Sequence, residues 1–431
     1  MTATGFAVKG WCPGALRPMQ SGDGLLVRVR PRCASLPTST LAAIAVAAER
    51  YGNGTIDLTR RANLQIRGVA PASLAPLLAD IGALGLLDDD PRLEAMRNIA
   101  VNPLAGLDVS EVLDVRPIAQ ELENLLPREI DLTRLPGKFA VVIDGGGILP
   151  IAELDADVRL EARGKAKGAV MAIGLAGATG VRWLGAAPTE QAAGIAVRVT
   201  RCLLRPTKAA DRRARALLPA GLEALRACLG LPGVPDLGAP SDGMRHRRRG
   251  LIALGGGRHA VGLGVAFGRC ESALLAALVH ELLSAGASEV RLSPWRAIYA
   301  CGVDRGGGAR LVAAAGRMGW IVDDADPMLR VDACPGAPLC AATSLATRSD
   351  ARTLSMLFAK AQFTGSLHVS GCAKGCARSV PADLALVGDG GGYRVIYRGT
   401  TRDRATDTLL PSDIAARGSD LLMAAAGGDD A

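Results

Sequence analysis

Four cysteines carry the most specific chemical signal in the sequence. Cys334 and Cys340 form a C-x5-C pair, and after 31 further residues Cys372 and Cys376 form a C-x3-C pair. Zinc knuckles use shorter spacers, whereas these spacers are rich in Gly and Pro and allow two loops to fold around a bulky group. Four thiolates from two loops suit a [4Fe–4S] cluster. A zinc site and a set of ordinary buried cysteines are the alternatives.

The remaining cysteines point to no second metal site. Most of them lie in apolar stretches, and we expect them in the core: Cys33, Cys202, Cys228, Cys270 and Cys301. Cys12, within GWCPG, is a loop residue of unassigned role. The N-terminus lacks the pattern of a signal peptide, and no segment offers 18 apolar residues free of charge. We therefore expect a cytoplasmic protein with reduced thiols.

The composition describes a globular protein that attracts anions. The 431 residues suggest two or three domains or one large composite, and 49% hydrophobic against 21% charged residues excludes a disordered chain. The net charge is +8, which favours anionic ligands. Aromatic residues amount to only 3%, too few for a binder that stacks nucleic-acid bases. The arginine runs indicate a solvated surface and a linker.

The elements that position the cysteines belong to a diverged internal repeat. Gly54–Val69 aligns without gaps with Ser288–Val303. Each segment follows a strand-like run, Gly24–Arg30 or Ala260–Phe267, and an Ala/Leu-rich helix. Further along, Asn102-Pro103 corresponds to Cys334-Pro335, and GKFAV at 137–141 corresponds to GSLHV at 365–369. The order of these matches predicts two related α+β halves.

The motifs together resemble the sulfite and nitrite reductase family, whose members hold a [4Fe–4S] cluster beside a sirohaem. The C-x5-C pair and the later G-C-x-x-G-C carry the resemblance, which implies that Cys376 bridges the cluster and the sirohaem iron. The segments GWCPGALRPMQSGDGLLVRVRPRCASL, DLTRRANLQIRGV and LPGKFAVVIDGGG are more similar to one branch, the precorrin-3B synthases of aerobic cobalamin synthesis.

The resemblance implies an α+β fold with two pseudo-symmetric halves, each a ferredoxin-like unit plus an α/β lobe. We expect the first ferredoxin-like half-unit at 1–72, a tetrapyrrole-binding lobe at 73–230 and a linker at 231–250. The second half-unit is expected at 251–308 and the cluster-bearing lobe at 309–425.

Three cations fall in motifs that resemble the family's tetrapyrrole contacts. Arg61 stands at the arginine of T-R-Q-x-x-Q, Arg97 at that of N-R-N, and Lys138 at the first lysine of L-P-x-K-F-K. A tetrapyrrole of this class is a polycarboxylate, which cations on a rigid frame bind well. Two departures matter: Ala140 replaces the second lysine, and Lys374 stands in the C-x3-C loop where reductases have asparagine.

The resemblance implies an oxygen-dependent hydroxylation of precorrin-3A at C20 with γ-lactone formation. The oxidant is O2, and electrons come from an external donor, a reductase or ferredoxin supplied by reduced nicotinamide. A mononuclear non-haem iron is implied beside the cluster, but its ligands are not visible; His368 and Lys374 are candidate catalytic residues. A sirohaem-dependent sulfite or nitrite reductase is the alternative enzyme. A non-catalytic electron-transfer or tetrapyrrole-carrier protein is the alternative of another class.

Overall fold

The computed structural model describes residues 13–131, 134–151, 153–165, 167–177, 180–206, 208, 212–234 and 248–427. Cys12, His246 and most of the expected linker lie outside these ranges. The chain forms two compact units. The larger unit contains Leu25–Val322 with the residues just before Gln20, and the smaller unit contains Gln20–Gly24 and the chain from Asp323 onward.

Strands and helices alternate along the chain. The strands are β1 (Met19–Ser21), β2 (Gly24–Val29), β3 (Ser35–Pro37), β4 (Thr55–Leu58), β5 (Leu64–Val69), β6 (Ile99–Val101), β7 (Val141–Asp144), β8 (Val158–Arg163), β9 (Val170–Ala176), β10 (Val181–Pro188), β11 (Gly250–Gly255), β12 (Arg258–Gly264), β13 (Arg269–Glu271), β14 (Glu289–Leu292), β15 (Ala297–Val303), β16 (Val331–Ala333), β17 (Leu367–Ser370), β18 (Ala382–Asp389), β19 (Gly392–Gly399) and β20 (Asp407–Leu409). The helices are α1 (Thr38–Tyr51), α2 (Leu74–Ala83), α3 (Pro91–Met96), α4 (Arg116–Glu129), α5 (Ala192–Leu203), α6 (Pro219–Leu229), α7 (Ser272–Ser284), α8 (Arg305–Arg317), α9 (Thr347–Met356) and α10 (Ile414–Ala426).

Two ferredoxin-like sheets of the larger unit exchange a strand. One sheet has the order β2-β5-β4-β13 and the other β11-β12-β15-β14-β3, so β13 and β3 each pair with the opposite half. The short 3-10 turn before β3 has its counterpart in the turn Ala266–Gly268 before β13. Arg32-Cys33 therefore corresponds to Ala266-Phe267 in the second half, although the sequence pairs it more readily with the similar dipeptide Arg269-Cys270.

One hydrophobic core joins these two sheets through the helices between them. Val27 and Ile66 of the first sheet and Val261 and Ile298 of the second belong to the same cluster of buried side chains. The helices α1 and α7 pack against each other within it. Helix α2 also contributes Leu77 to this core, so the first ferredoxin-like unit extends beyond the boundary expected at residue 72. Helix α8 likewise packs here, beyond the boundary expected at residue 308.

The two α/β lobes have the same strand order, which supports the predicted duplication. In the larger unit the sheet runs β6-β7-β8-β9-β10, and in the smaller unit β16-β17-β18-β19-β20. In both sheets the first three strands are parallel and the next two strands join antiparallel. Parallel strands place their carboxyl ends on one edge, and ligand sites form there. Among the described residues, no helix is long and apolar enough to cross a membrane.

Candidate functional site

The four predicted cluster cysteines lie on two loops at the carboxyl ends of neighbouring parallel strands. Cys334 follows β16 directly and is buried, and Cys340 lies further along the same loop. Cys372 follows β17 after one glycine, and Cys376, the most exposed of the four, ends the second loop. The parallel pairing of β16 with β17 explains why two cysteine pairs 31 residues apart in sequence emerge side by side.

The charges of the other three cysteines and of Lys374 act on the Cys376 thiol. Partial burial of the sulfur raises the pKa of Cys376, and the Lys374 ammonium opposes this rise. The thiolates of Cys334, Cys372 and Cys340 raise the same pKa further. Four mutually repelling thiolates are stable together only with a cationic centre between them, because a bound metal removes the repulsion and deprotonates the thiols outright.

Comparison of the two lobes shows what the cysteine loops replace. In the larger unit, Asn102 follows the edge strand β6, and its Oδ1 accepts a hydrogen bond from Gly145 N at 2.6 Å. In the smaller unit, Cys334 follows β16, and its Sγ accepts one from Gly371 N at 3.1 Å. Equivalent backbone N–H groups therefore donate to an amide oxygen in one lobe and to a cysteine sulfur in the other. N–H donors to sulfur are typical of iron–sulfur sites.

The cysteine loops fit an iron–sulfur cluster better than a single ion. Gly371 and Gly375 let the second loop turn, since a Cβ would come within 2.4 Å of Thr343 at the first position and 2.8 Å of Thr401 at the second. Four thiolates on Gly-rich loops with an N–H donor are the donor set of such a cluster. No three His, Cys, Asp or Glu side chains of the described residues are arranged to hold one metal ion, so the ligands of a mononuclear iron are not found among them.

Two of the three predicted anion-binding cations lie together in the larger unit. The Nη2 of Arg61 makes a long contact, 3.5 Å, with the backbone oxygen of Lys138, and the Lys138 side chain is exposed. Thr59 fixes the turn that carries Arg61, because its Oγ1 accepts from Arg61 N (3.2 Å) and Asn63 N (3.1 Å). An apolar pocket lies beside Lys138; its lining includes Met96, Asn98, Leu135, Pro136 and Phe139.

Arg97, the third predicted cation, is buried in an ion pair. Its Nη2 lies 2.7 Å from Asp88 Oδ2, and only 6% and 8% of the two side chains are exposed. Arg32 lies 3.9 Å from the same aspartate and also contacts Glu123. The neighbouring Asn98 donates from Nδ2 to the Phe139 carbonyl at 2.8 Å, which joins the two motifs that carry Arg97 and Lys138.

A row of polar side chains across the first ferredoxin-like sheet was missed from the sequence. Arg28, Gln65, Asp57 and Arg269 stand opposite one another on β2, β5, β4 and β13. With the Gln65 amide turned so that its oxygen faces the guanidinium, Arg28 Nε and Nη2 donate to that oxygen at 3.0 and 2.6 Å. Asp57 accepts from Arg269 Nε and Nη2 at 2.5 and 2.9 Å.

Arg67 adds a further buried cation to this sheet, 3.8 Å from Asp57. Arg28, Arg67 and Arg269 therefore share this face with Asp57. The matching face of the second sheet carries fewer cations: Ala260, Tyr299 and Cys301 lie there with one buried arginine, Arg291, which stands opposite Tyr299 and pairs with Glu289. The alternation V-R-V-R at 27–30 was the signal that marks this face.

The candidate catalytic residues His368 and Lys374 and the remaining cysteines occupy different environments. His368 is buried on β17, where it stands opposite Asp332 of β16. Lys374 is exposed on the C-x3-C loop. Cys270 and Cys301 are buried as expected, whereas Cys228 is exposed on α6, so its place in the core was wrongly predicted.

Two family models match the first half of the chain. The nitrite/sulfite reductase ferredoxin-like half domain matches residues 17–84. The nitrite and sulphite reductase 4Fe-4S domain matches residues 93–201. This second segment contains no cysteine; the cysteines lie in the smaller unit, whose sheet has the same strand order. The duplicated fold and its cysteine loops define an iron–sulfur protein of the sulfite and nitrite reductase class.

The similar proteins narrow this class. A precorrin-3B synthase from Sinorhizobium sp is 36% identical over 91% of this chain and 83% of its own length. A ferredoxin–nitrite reductase from Synechococcus elongatus is 35% identical over only 30% of this chain and 26% of its own. The Mycobacterium tuberculosis NirA structure has the same fold, with a TM-score of 0.73 and 21% identity, over 92% of this chain and 79% of that one. The chain therefore belongs to the sulfite and nitrite reductase family, in the branch of the precorrin-3B synthases.

Proposed function

We propose that this protein converts precorrin-3A into precorrin-3B by oxygen-dependent hydroxylation at C20 with γ-lactone closure. The observation that carries the proposal is the similarity to a precorrin-3B synthase along almost the whole chain, whereas the ferredoxin–nitrite reductase of Synechococcus elongatus matches under a third of it. One oxygen atom of O2 enters the substrate and the other leaves as water, so each turnover needs two electrons and two protons from outside.

The cations of the larger unit are proposed to hold the carboxylate arms of the substrate. Arg61 contacts the backbone of Lys138, and no carboxylate of the described residues forms an ion pair with either side chain. Arg97 is proposed as a third contact, acting from within its ion pair with Asp88. Arg28 and Arg67 extend the positive field over a buried sheet face, where a low dielectric strengthens attraction to an anion.

Cys334, Cys340, Cys372 and Cys376 are proposed to hold a [4Fe–4S] cluster. When bound, it supplies electrons one at a time, received from an external ferredoxin or reductase. The protein contributes the four thiolates, the Gly371 N–H that stabilises the Cys334 sulfur, and the glycine turns that keep the loops open.

Ala140 favours this reaction over sulfite or nitrite reduction. It is buried, and its N–H donates to Asp157 Oδ2 at 3.2 Å. A small oxyanion there would meet a methyl group instead of the lysine ammonium that the reductase pattern places at this position. Loss of such a cation removes charge stabilisation at the reacting oxygens.

The test is a turnover assay with heavy-isotope O2. Purified holoprotein is incubated anaerobically with precorrin-3A, and labelled O2 and a reductant are then added. We expect a product that has gained one labelled oxygen, detected by mass spectrometry. A carrier protein would release unchanged precorrin-3A. A sirohaem reductase would contain sirohaem as isolated and would reduce sulfite or nitrite.

Variants test the binding site separately. We expect Arg61→Ala and Lys138→Ala to weaken precorrin-3A binding at least tenfold and to leave the iron and sulfide content unchanged. Arg310→Ala and Lys360→Ala remove exposed cations elsewhere and serve as matched controls. Equal binding by all four variants would contradict the proposed site.

A further inference from the structure

The C-x3-C loop carries a lysine beside the most exposed of the proposed cluster ligands. Lys374 lies between Cys372 and Cys376, and Gly375 follows it in the left-handed conformation, with φ at 63°. Thr401 Oγ1 donates to the Ala373 carbonyl at 2.9 Å and so anchors the loop. The backbone therefore holds Lys374 at a fixed place next to two ligands.

The charge of Lys374 is not neutralised by its surroundings. No carboxylate of the described residues of the smaller unit pairs with its ammonium, and the residue is exposed. The nearby Arg378 differs, since it lies 3.2 Å from Asp332 and donates to the Pro381 carbonyl.

We propose that Lys374 raises the reduction potential of the cluster held by these four cysteines. Reduction adds one electron to the cluster and forms no bond, so the reduced state carries one more negative charge. A cation fixed beside a ligand stabilises that state more than the oxidised one. The inference rests on the proposed cluster ligation, but it does not depend on the identity of the substrate.

The test is a potentiometric titration of the purified holoprotein with dithionite and redox mediators. The midpoint is followed by visible absorbance and by the electron paramagnetic resonance of the reduced cluster. We expect Lys374→Gln to lower the reduced-to-oxidised ratio at a given potential by a factor of roughly three to ten, which is about 30 to 60 mV for one electron. The shift should shrink at high salt, because the side chain is exposed.

Two further variants separate charge from shape. Lys374→Arg keeps the charge and should retain the original potential. Lys360→Gln removes an exposed lysine of the same unit that lies outside both cysteine loops, and it should also leave the potential unchanged. The proposal is overturned if Lys374→Gln matches the unaltered protein, or if Lys374→Arg shifts as far as Lys374→Gln. If Lys374→Gln alone lacks iron and sulfide, the lysine acts in cluster assembly and the proposal is overturned. If the unaltered protein and all its variants lack iron, the proposed ligation by the four cysteines is refuted.

Discussion

The ion pair between Arg97 and Asp88 allows a quantitative test of what Arg97 does. At 2.7 Å, two unit charges attract by roughly 6 kcal/mol at an effective dielectric constant near 20. Desolvation offsets much of this, and removal of one partner of a buried pair destabilises by about 3 kcal/mol. Arg32 lies 3.9 Å from Asp88 and compensates part of the loss in Arg97→Ala, so we expect about 2 kcal/mol there and about 3 kcal/mol in Asp88→Ala.

A double-mutant cycle measures the coupling directly. Denaturant unfolding of Arg97→Ala, Asp88→Ala and the double variant is followed by fluorescence of Trp183, Trp295 and Trp320, which all lie in the larger unit. We expect a coupling energy of about 2 kcal/mol. Additivity within ~0.5 kcal/mol would refute the buried pair. Substrate binding is measured on the same proteins: if Arg97 also binds a carboxylate arm, the double variant binds more weakly than Asp88→Ala alone.

Three more outcomes follow from the described contacts. Cys376→Ala should abolish the cluster, seen as loss of iron, sulfide and visible absorbance, while far-ultraviolet circular dichroism stays near that of the unaltered protein. Asp57→Asn should destabilise by about 3 kcal/mol, because Arg269 and Arg67 lose their carboxylate; Asp407→Asn, which breaks an exposed pair with Arg417, should change stability by less than ~1 kcal/mol. Burial raises the pKa of Glu111 to about 7, so between about pH 4.5 and 7 the folded state holds a proton that the unfolded state has released, and stability falls as pH rises through that range. Glu111→Gln should flatten this decline in thermal unfolding curves recorded at a series of pH values. An unchanged slope would contradict the role of Glu111.

The strand pattern and the duplication were predictable, because both leave a periodic signal. Gly54–Val69 and Ser288–Val303 do form equivalent hairpins, β4 with β5 and β14 with β15. The match of Asn102 with Cys334 is confirmed, since each follows the first strand of its lobe. The match of GKFAV with GSLHV is shifted by two residues, because Val141 and Leu367 occupy the same register position.

The strand exchange and the polar row could not be predicted from local sequence. The strands β3 and β13 are three residues long, too short for a periodic signal, and their partners lie more than 200 residues away in sequence. The buried arginines of β2 and β5 appear as ordinary surface cations in sequence, since Arg is mostly exposed. Arg97 flanks a strand and Asp88 lies in a loop, so the periodic spacing of a helix or strand does not predict their ion pair.

The residues that differ between the two halves indicate where the substrate and the cluster bind. In the lobes, equivalent backbone N–H groups donate to Asn102 in one copy and to Cys334 in the other. The four cysteines predicted to hold the cluster all lie in the smaller unit. In the sheets, one face carries Tyr299 with a single arginine, Arg291, that pairs with Glu289, whereas the matching face carries Arg28 and Arg67. We propose that the sheet face with Arg28 and Arg67 adds to the substrate site and that the cysteine loops of the smaller unit supply electrons.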